Sequence, residues 1–87
     1  MIRFSDSITS STMDGELVIL DSRSGKYFGL NASGSRIVEL LRETGDLERS
    51  LEALGREYAV DNERLRADAL ALLVQLKQRG LVETDVV

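Results

Sequence analysis

The chain has 87 residues and a formal net charge of −4, so we expect one small acidic domain spanning residues 1–87. It contains no cysteine and no histidine. These absences exclude disulfides, cysteine-based zinc sites and histidine-dependent catalytic triads. We therefore expect a protein that is not an enzyme and that has no catalytic residue, no metal and no cofactor.

Location and charge limit the possible partners further. The sequence has no apolar segment long enough for a signal-peptide core or a membrane span. We therefore expect a cytoplasmic protein with no membrane partner. The net negative charge opposes binding to the phosphate backbone of nucleic acid.

Three β-strands are predicted in the first third of the chain. Residues 1–13 have a short apolar-polar alternation and are expected to form one irregular strand, followed by a turn at Asp14-Gly15. The apolar run ELVILD, 16–21, is too short for a helix and carries β-branched residues. A four-residue connection ending in glycine leads into KYFGL, 26–30, so these two runs predict an antiparallel hairpin.

Three helices are predicted after the strands, because the apolar residues then recur at helical spacing. Each predicted helix has a capping residue before it, and glycines stop the first and the third. The predicted caps are Asn31 or Ser33, Asp46 and Asp61, and the predicted stops are Gly45 and Gly80. The residues after the third helix, 81–83, can form a short strand or wing.

This element order predicts an α+β fold in which three helices cover one face of a three-stranded antiparallel sheet. A winged-helix domain has the same inventory of elements. Strand 16–21 is expected at the centre of the sheet, which leaves strand 26–30 at an edge. Sheet edges are usually protected by charge, proline or a bulge, and this strand has only Lys26 at its start. Such an edge favours pairing with an extended peptide.

The third helix carries a broad apolar face. Its central stripe follows the spacing i, i+4, i+7, i+11, and two more leucines widen it. Beside the edge strand, this face could line a groove for the side chains of a docked peptide. Core packing is the alternative for most of this face and for the pair Tyr27 and Phe28. The stripe consists of Leu65, Ala69, Leu72 and Leu76, widened by Leu70 and Leu73 and bordered by Asp68 and Arg79.

Two long segments of the sequence resemble the PqqD-like family of RiPP recognition elements. They are DGELVILDSRSGKYFGLNASGSRIVELL, 14–41, and DNERLRADALALLVQLKQRGLVE, 61–83. The family consists of small winged-helix-like domains that bind the leader segment of a ribosomally made precursor peptide. Within the family, the chain looks most like the free-standing leader-binding protein of lasso-peptide biosynthesis.

The resemblance implies a binding mode and a set of site residues. The leader peptide would add as an antiparallel strand to the predicted third strand and lie against the third helix. A leader peptidase or another maturation enzyme would then receive the precursor. On the strand, the implied peptide-binding residues are Lys26, Tyr27, Phe28, Gly29 and Leu30. On the helix they are Asp68, Ala69, Leu72, Leu73 and Leu76.

Other functions stay open at this point. One alternative is a precursor-peptide chaperone of the PQQ pathway, which would serve a radical SAM enzyme. Another is a winged-helix regulator that binds DNA through part of 61–79 or through the segment LERSLEALGREY, 47–58. This segment carries three glutamates against two arginines, so it would repel the phosphate backbone.

Overall fold

The computed structural model describes all 87 residues, which form five strands and three helices. The strands are β1 (Ile2–Phe4), β2 (Ile8–Met13), β3 (Glu16–Asp21), β4 (Lys26–Gly29) and β5 (Val82–Thr84). The helices are α1 (Ala32–Thr44), α2 (Leu47–Glu57) and α3 (Asn62–Gln78). No helix combines the length and the apolar character that crossing a bilayer requires.

The main sheet has three antiparallel strands in the order β2-β3-β4. The α+β prediction is confirmed, because this sheet is followed in the chain by the three helices. The central position of β3 and the edge position of β4 are also as predicted. Register pairs Ile19 of β3 with Phe28 of β4 and with Ser10 of β2.

The prediction of one strand over residues 1–13 is wrong. A turn at Asp6-Ser7 divides this segment into β1 and β2. Strand β1 pairs with the C-terminal strand β5 in a separate two-stranded sheet, and the Ser5 N–H donates to the Leu81 carbonyl at 3.0 Å. The predicted short strand after α3 is therefore present, and its partner is the N-terminus of the chain.

Side chains cap all three helices at their predicted N-termini. Asn31 accepts a hydrogen bond from the Gly34 N–H at 2.8 Å, and Asp46 accepts one from the Arg49 N–H at 2.9 Å. Asp61 accepts from the N–H of the second residue of α3 at 3.3 Å. Each bond satisfies a backbone donor that the first turn of a helix leaves without a partner.

A single hydrophobic cluster fills the space between the inner face of the main sheet and the helices. The inner face contributes Leu17, Ile19 and Phe28, all buried. Ser35 of α1 ties helix and sheet together, because its hydroxyl accepts from the Leu17 N–H at 2.7 Å and donates to the Asn31 carbonyl at 2.7 Å.

The helices leave the outer face of the main sheet uncovered. Val18 and Leu20 of β3 are half-buried there. Tyr27 of β4 and Met13 of β2 lie on the same face with 69% and 65% of their surface exposed. The prediction that only one face of the sheet would be covered is correct.

Candidate functional site

The free backbone edge of β4 is the first component of the candidate site. The Leu30 N–H donates to the Leu17 carbonyl at 2.9 Å, which makes this a hydrogen-bonded pair of the antiparallel ladder. Bonded and non-bonded pairs alternate along such a ladder, so the N–H and C=O of Phe28 point to β3. Those of Tyr27 and Gly29 point away from the sheet. Two donors and two acceptors are thus available to a further strand, and we call this the open edge.

The loop before β4 is held in place by one buried carboxylate. Asp21, only 7% exposed, accepts hydrogen bonds from the Arg23 N–H at 3.1 Å and the Ser24 hydroxyl at 3.1 Å. The backbone N–H of Arg23 holds the pKa of the Asp21 carboxyl below its usual range, and the Ser24 hydroxyl acts in the same direction. The Arg23 guanidinium also donates to the Gly80 carbonyl at 3.0 Å, which ties this loop to the end of α3. The start of the open edge is therefore fixed.

Gly29 at the end of the open edge has no structural reason to be glycine in the isolated domain. The register from Lys26 to Gly29 is continuous, so there is no bulge. A Cβ atom built on Gly29 would meet nothing within 4 Å, and the residue does not have positive φ. Neither a bulge nor a close backbone approach explains this glycine.

A groove between β4 and α3 is the second component of the site. It has a volume of about 380 Å³, and residues at the start of α1 also line it. We call it the β4–α3 groove. Its lining residues are Phe28, Gly29, Leu30, Asn31, Ser33, Gly34, Ile37, Asp68, Ala71, Leu72 and Gln75.

Two smaller cavities extend this groove at its ends. One of about 330 Å³ lies beside Lys26 and Tyr27 and shares Phe28 with the groove. The other, of about 220 Å³, shares Ile37 and Asp68 with the groove and reaches Tyr58 beyond α2. The depressions therefore extend from β4 along α3 to the space between the three helices.

The structure divides the predicted helix residues into two groups. Asp68 and Leu72 line the β4–α3 groove, with Asp68 exposed and Leu72 half-buried. Ala69, Leu73 and Leu76 lie in the hydrophobic core, with exposures of 1%, 0% and 0%. The structure thus does not bring these last three to the groove, because they pack in the core, which was the alternative for most of this face.

Sequence reasoning missed the contribution of α1 and the polar part of α3. Asn31, Ser33 and Ile37 line the groove because α1 begins directly after β4. On α3, Gln75 joins the groove, and Arg79, the C-cap residue directly after α3, joins the cavity beside Lys26. The spacing of Asp68, Leu72, Gln75 and Arg79 is i, i+4, i+7, i+11, which was a detectable signal for a second stripe.

The strongest ion pairs lie away from the open edge and join the helices to one another. Arg36 of α1 donates to Glu57 of α2 at 2.9 Å, and Arg66 of α3 donates to Glu48 of α2 at 2.6 Å. These hydrogen bonds lower the pKa of both glutamates. No group of three or more metal-ligating side chains is present in the molecule. These two ion pairs thus connect α1 to α2 and α2 to α3 within the helical layer.

A family comparison agrees with this geometry. The family model described as coenzyme PQQ synthesis protein D (PqqD) matches residues 16–82, most of the chain. The chain belongs to the PqqD family. The match begins at β3 and ends in β5, so it contains both the open edge and α3. No curated protein matches the chain significantly.

Two solved structures of peptide complexes have the same fold. The first is TbiB1 in complex with the TbiA(beta) leader peptide, with a TM-score of 0.85 and 37% identity. The match covers 98% of this chain and 99% of that one. The second is lasso peptide synthetase B1 complexed with the leader peptide, with a TM-score of 0.83 and 30% identity. That match covers 95% of this chain and 98% of the other.

Proposed function

We propose that this PqqD-family protein binds the leader segment of a ribosomally synthesised precursor peptide. The leader would add to β4 as an antiparallel strand and complete the sheet as its fourth member. The observation that carries the proposal is the open edge of β4 beside the β4–α3 groove. The similar proteins TbiB1 and lasso peptide synthetase B1, which were solved with leader peptides, support it.

Affinity and sequence choice would come from different parts of the site. The backbone groups of Tyr27 and Gly29 can form hydrogen bonds with any extended peptide, since the main chain is common to all sequences. Alternate side chains of the added strand would point into the β4–α3 groove, where Leu72 and Ile37 offer apolar surface. Asn31 and Asp68 offer hydrogen-bonding groups at one end of it.

The protein would act without catalysis and would deliver the bound precursor to a maturation enzyme. In lasso-peptide biosynthesis that enzyme is a leader peptidase, followed by a cyclase. Holding the leader raises the effective concentration of the precursor at an enzyme that associates with this domain. The likeness to lasso peptide synthetase B1, which was solved with a leader peptide, favours this role.

A second role within the same family is delivery in the PQQ pathway, where a radical SAM enzyme would receive the precursor. The description of the matched family favours it. Both roles share leader binding and differ in the enzyme that follows, so a pull-down with each purified enzyme and the leader peptide separates them.

Titration calorimetry tests the shared proposal directly. The protein would be titrated with the synthetic TbiA(beta) leader peptide and, separately, with a DNA duplex. We expect saturable one-to-one binding of the leader and no binding of the duplex. Binding of DNA with a steep salt dependence, together with no heat from the leader, would reject the proposal in favour of a regulator.

A further inference from the structure

The groove side of α3 carries a gradient of charge along the helix. Asp68, Leu72, Gln75 and Arg79 form one stripe, about 16 Å long at 1.5 Å per residue. An acidic side chain stands at one end and a basic side chain at the other. The span equals roughly five residues of extended chain, so a bound strand would pass both ends.

The two ends of the stripe lie against opposite ends of β4. Asp68 shares the β4–α3 groove with Leu30, whereas Arg79 shares the neighbouring cavity with Lys26. Helix α3 therefore runs opposite to β4. An antiparallel strand added to β4 would run in the same direction as α3, with its N-terminal half near Asp68 and its C-terminal half near Arg79.

The Lys26 end of the site concentrates positive charge that the protein does not neutralise. Lys26 and Arg79 both line the 330 Å³ cavity, and neither forms an ion pair. The Arg79 guanidinium lies over the Phe28 ring, 4.7 Å from its centroid. We call this the cationic end. It stands out because the whole chain has a net charge of −4.

The single carboxylate at the cationic end is already occupied. Asp21 accepts hydrogen bonds from Ser24 and from the Arg23 backbone, and it pairs with the Arg23 side chain at 3.5 Å. Its charge is therefore matched by Arg23. Lys26 and Arg79 remain available to an anionic group that enters the cavity from solvent.

We propose that the cationic end binds a carboxylate side chain, Asp or Glu, of the leader strand and thereby selects its direction and register. This rests on the proposed function. Lys26 and Phe28 alternate with Tyr27 and face the same side of β4. The carboxylate belongs to the leader residue opposite Lys26, four residues after the one opposite Leu30. In the reversed strand direction, Asp68 would face that carboxylate and repel it.

Charge scanning of the leader tests the inference. Each position of the TbiA(beta) leader peptide would be replaced by Glu and by Lys, and the Kd of each peptide measured by calorimetry. We expect one position in the C-terminal half of the paired segment to prefer Glu over Lys by about three- to fivefold, the range of an exposed ion pair. Lys26→Glu and Arg79→Glu should each reverse the preference at that position. Raising the salt concentration should reduce it.

Two control variants test whether the preference depends on the charge of the cationic end. Arg49→Glu makes the same charge change on the exposed surface of α2, outside the cavities of the site, and should leave the preference in place. Arg79→Lys retains the charge and should retain the preference. Melting temperatures verify that every variant is folded.

The possible outcomes separate this inference from the function on which it rests. If the wild-type protein binds the leader but no position distinguishes Glu from Lys, the cationic end has no role in recognition and the inference is wrong. A preference that survives both charge reversals would also overturn it. Lack of binding by the wild-type protein rejects the proposed function and the inference together.

Discussion

The main sheet has two free edges, and they differ in their surroundings. On β2, the Ser22 N–H donates to the Ser7 carbonyl, so Ser7 and Ser22 form a hydrogen-bonded pair of the ladder. Because bonded and non-bonded pairs alternate, the N–H and C=O groups of Ser10 and Thr12 point to solvent. The residues after Ile8 in β2 are exposed and mostly polar, and none of them lines a cavity. On β4, the open edge lies beside the β4–α3 groove and the cavity at Lys26 and Tyr27.

Unpaired backbone groups alone therefore do not make a recognition site. Both edges can form main-chain hydrogen bonds with an added strand. Only β4 has a helix at a distance that leaves room for side chains, so only β4 can distinguish one peptide from another. Variants of the open edge and variants of α3 can separate the contribution of the backbone from that of the β4–α3 groove.

The largest effect is expected on stability, when a core residue of α3 is truncated. Leu73 of α3 is fully buried, so Leu73→Ala should lower the free energy of unfolding by about 2–5 kcal/mol. Urea denaturation measures this loss. Leu72→Ala is the matched variant on the groove side and should cost much less stability. Equal losses for both variants would contradict the division of α3 into a core stripe and a groove stripe.

The next largest effect is expected from a proline placed on the open edge. Tyr27→Pro removes an N–H that points to the added strand while the Phe28 bonds to β3 remain, so the Kd for the leader should rise about tenfold. Tyr27→Ala separates loss of the ring from loss of the N–H. Thr12→Pro makes the same change on the β2 edge and should not alter the Kd. Weaker binding by Thr12→Pro alone would move the site to the other edge.

A charge on the groove wall should weaken binding without unfolding the domain. Leu72→Asp introduces a carboxylate where apolar leader side chains are expected, and we expect the Kd to rise about fivefold. Val74 lies on the same helix outside the groove, with 40% of its surface exposed. Val74→Asp is therefore the control. Equal effects on the Kd would show that the leader does not use the groove.

Gly29 offers a smaller and more selective test. Gly29→Ala should leave stability unchanged or raise it by up to about 1 kcal/mol, since alanine loses less conformational entropy and finds open space. The same variant should weaken leader binding by about twofold, because the new methyl group occupies space next to the added strand. Thermal unfolding measures the change in stability, and calorimetry measures the change in Kd. Unchanged affinity would remove any role of this glycine in recognition.

The smallest effect is expected on the stability of the domain at acidic pH. The pKa of Asp21 is lowered in the folded protein, so the unfolded chain binds a proton more readily between the two pKa values. The stability that Asp21 contributes is present at neutral pH and is lost as the pH falls below about 4 and through the lowered pKa. Asp21→Asn should therefore flatten the acid limb of the stability profile, measured by urea midpoints.

Asp14→Asn removes the same charge from the exposed turn between β2 and β3 and serves as the control for that profile. A profile for Asp21→Asn that coincides with the wild-type one would mean that the loop network does not depend on the charge of Asp21.

Local signals in the sequence were sufficient for most of the fold. Asn31, Asp46 and Asp61 predicted the helix starts because capping depends on a few consecutive residues. The hairpin of β3 and β4 was predictable for the same reason. The pairing of β1 with β5 was not, since it joins Ile2 to Thr84 and depends on the completed core.

The helix side of the site could be predicted only in part. Leu72 and Leu73 are both leucine and differ by 100° around α3, so the hydrophobic pattern fits a stripe through either one. Packing against the sheet and the other helices decides that Leu73 is buried and Leu72 reaches the groove. The groove residues of α1 were missed because helix periodicity does not show which residues face a neighbouring strand.

The pairing of β1 with β5 has a practical consequence for engineering the molecule. Ile2 lies opposite Thr84, and the N-terminal amine lies 3.4 Å from Asp85. A short linker could therefore join the two ends, and new ends could be opened at the exposed Asp14-Gly15 turn. Such a circular permutant would keep β3, β4 and the helices in one continuous segment and would show whether chain order matters for building the site.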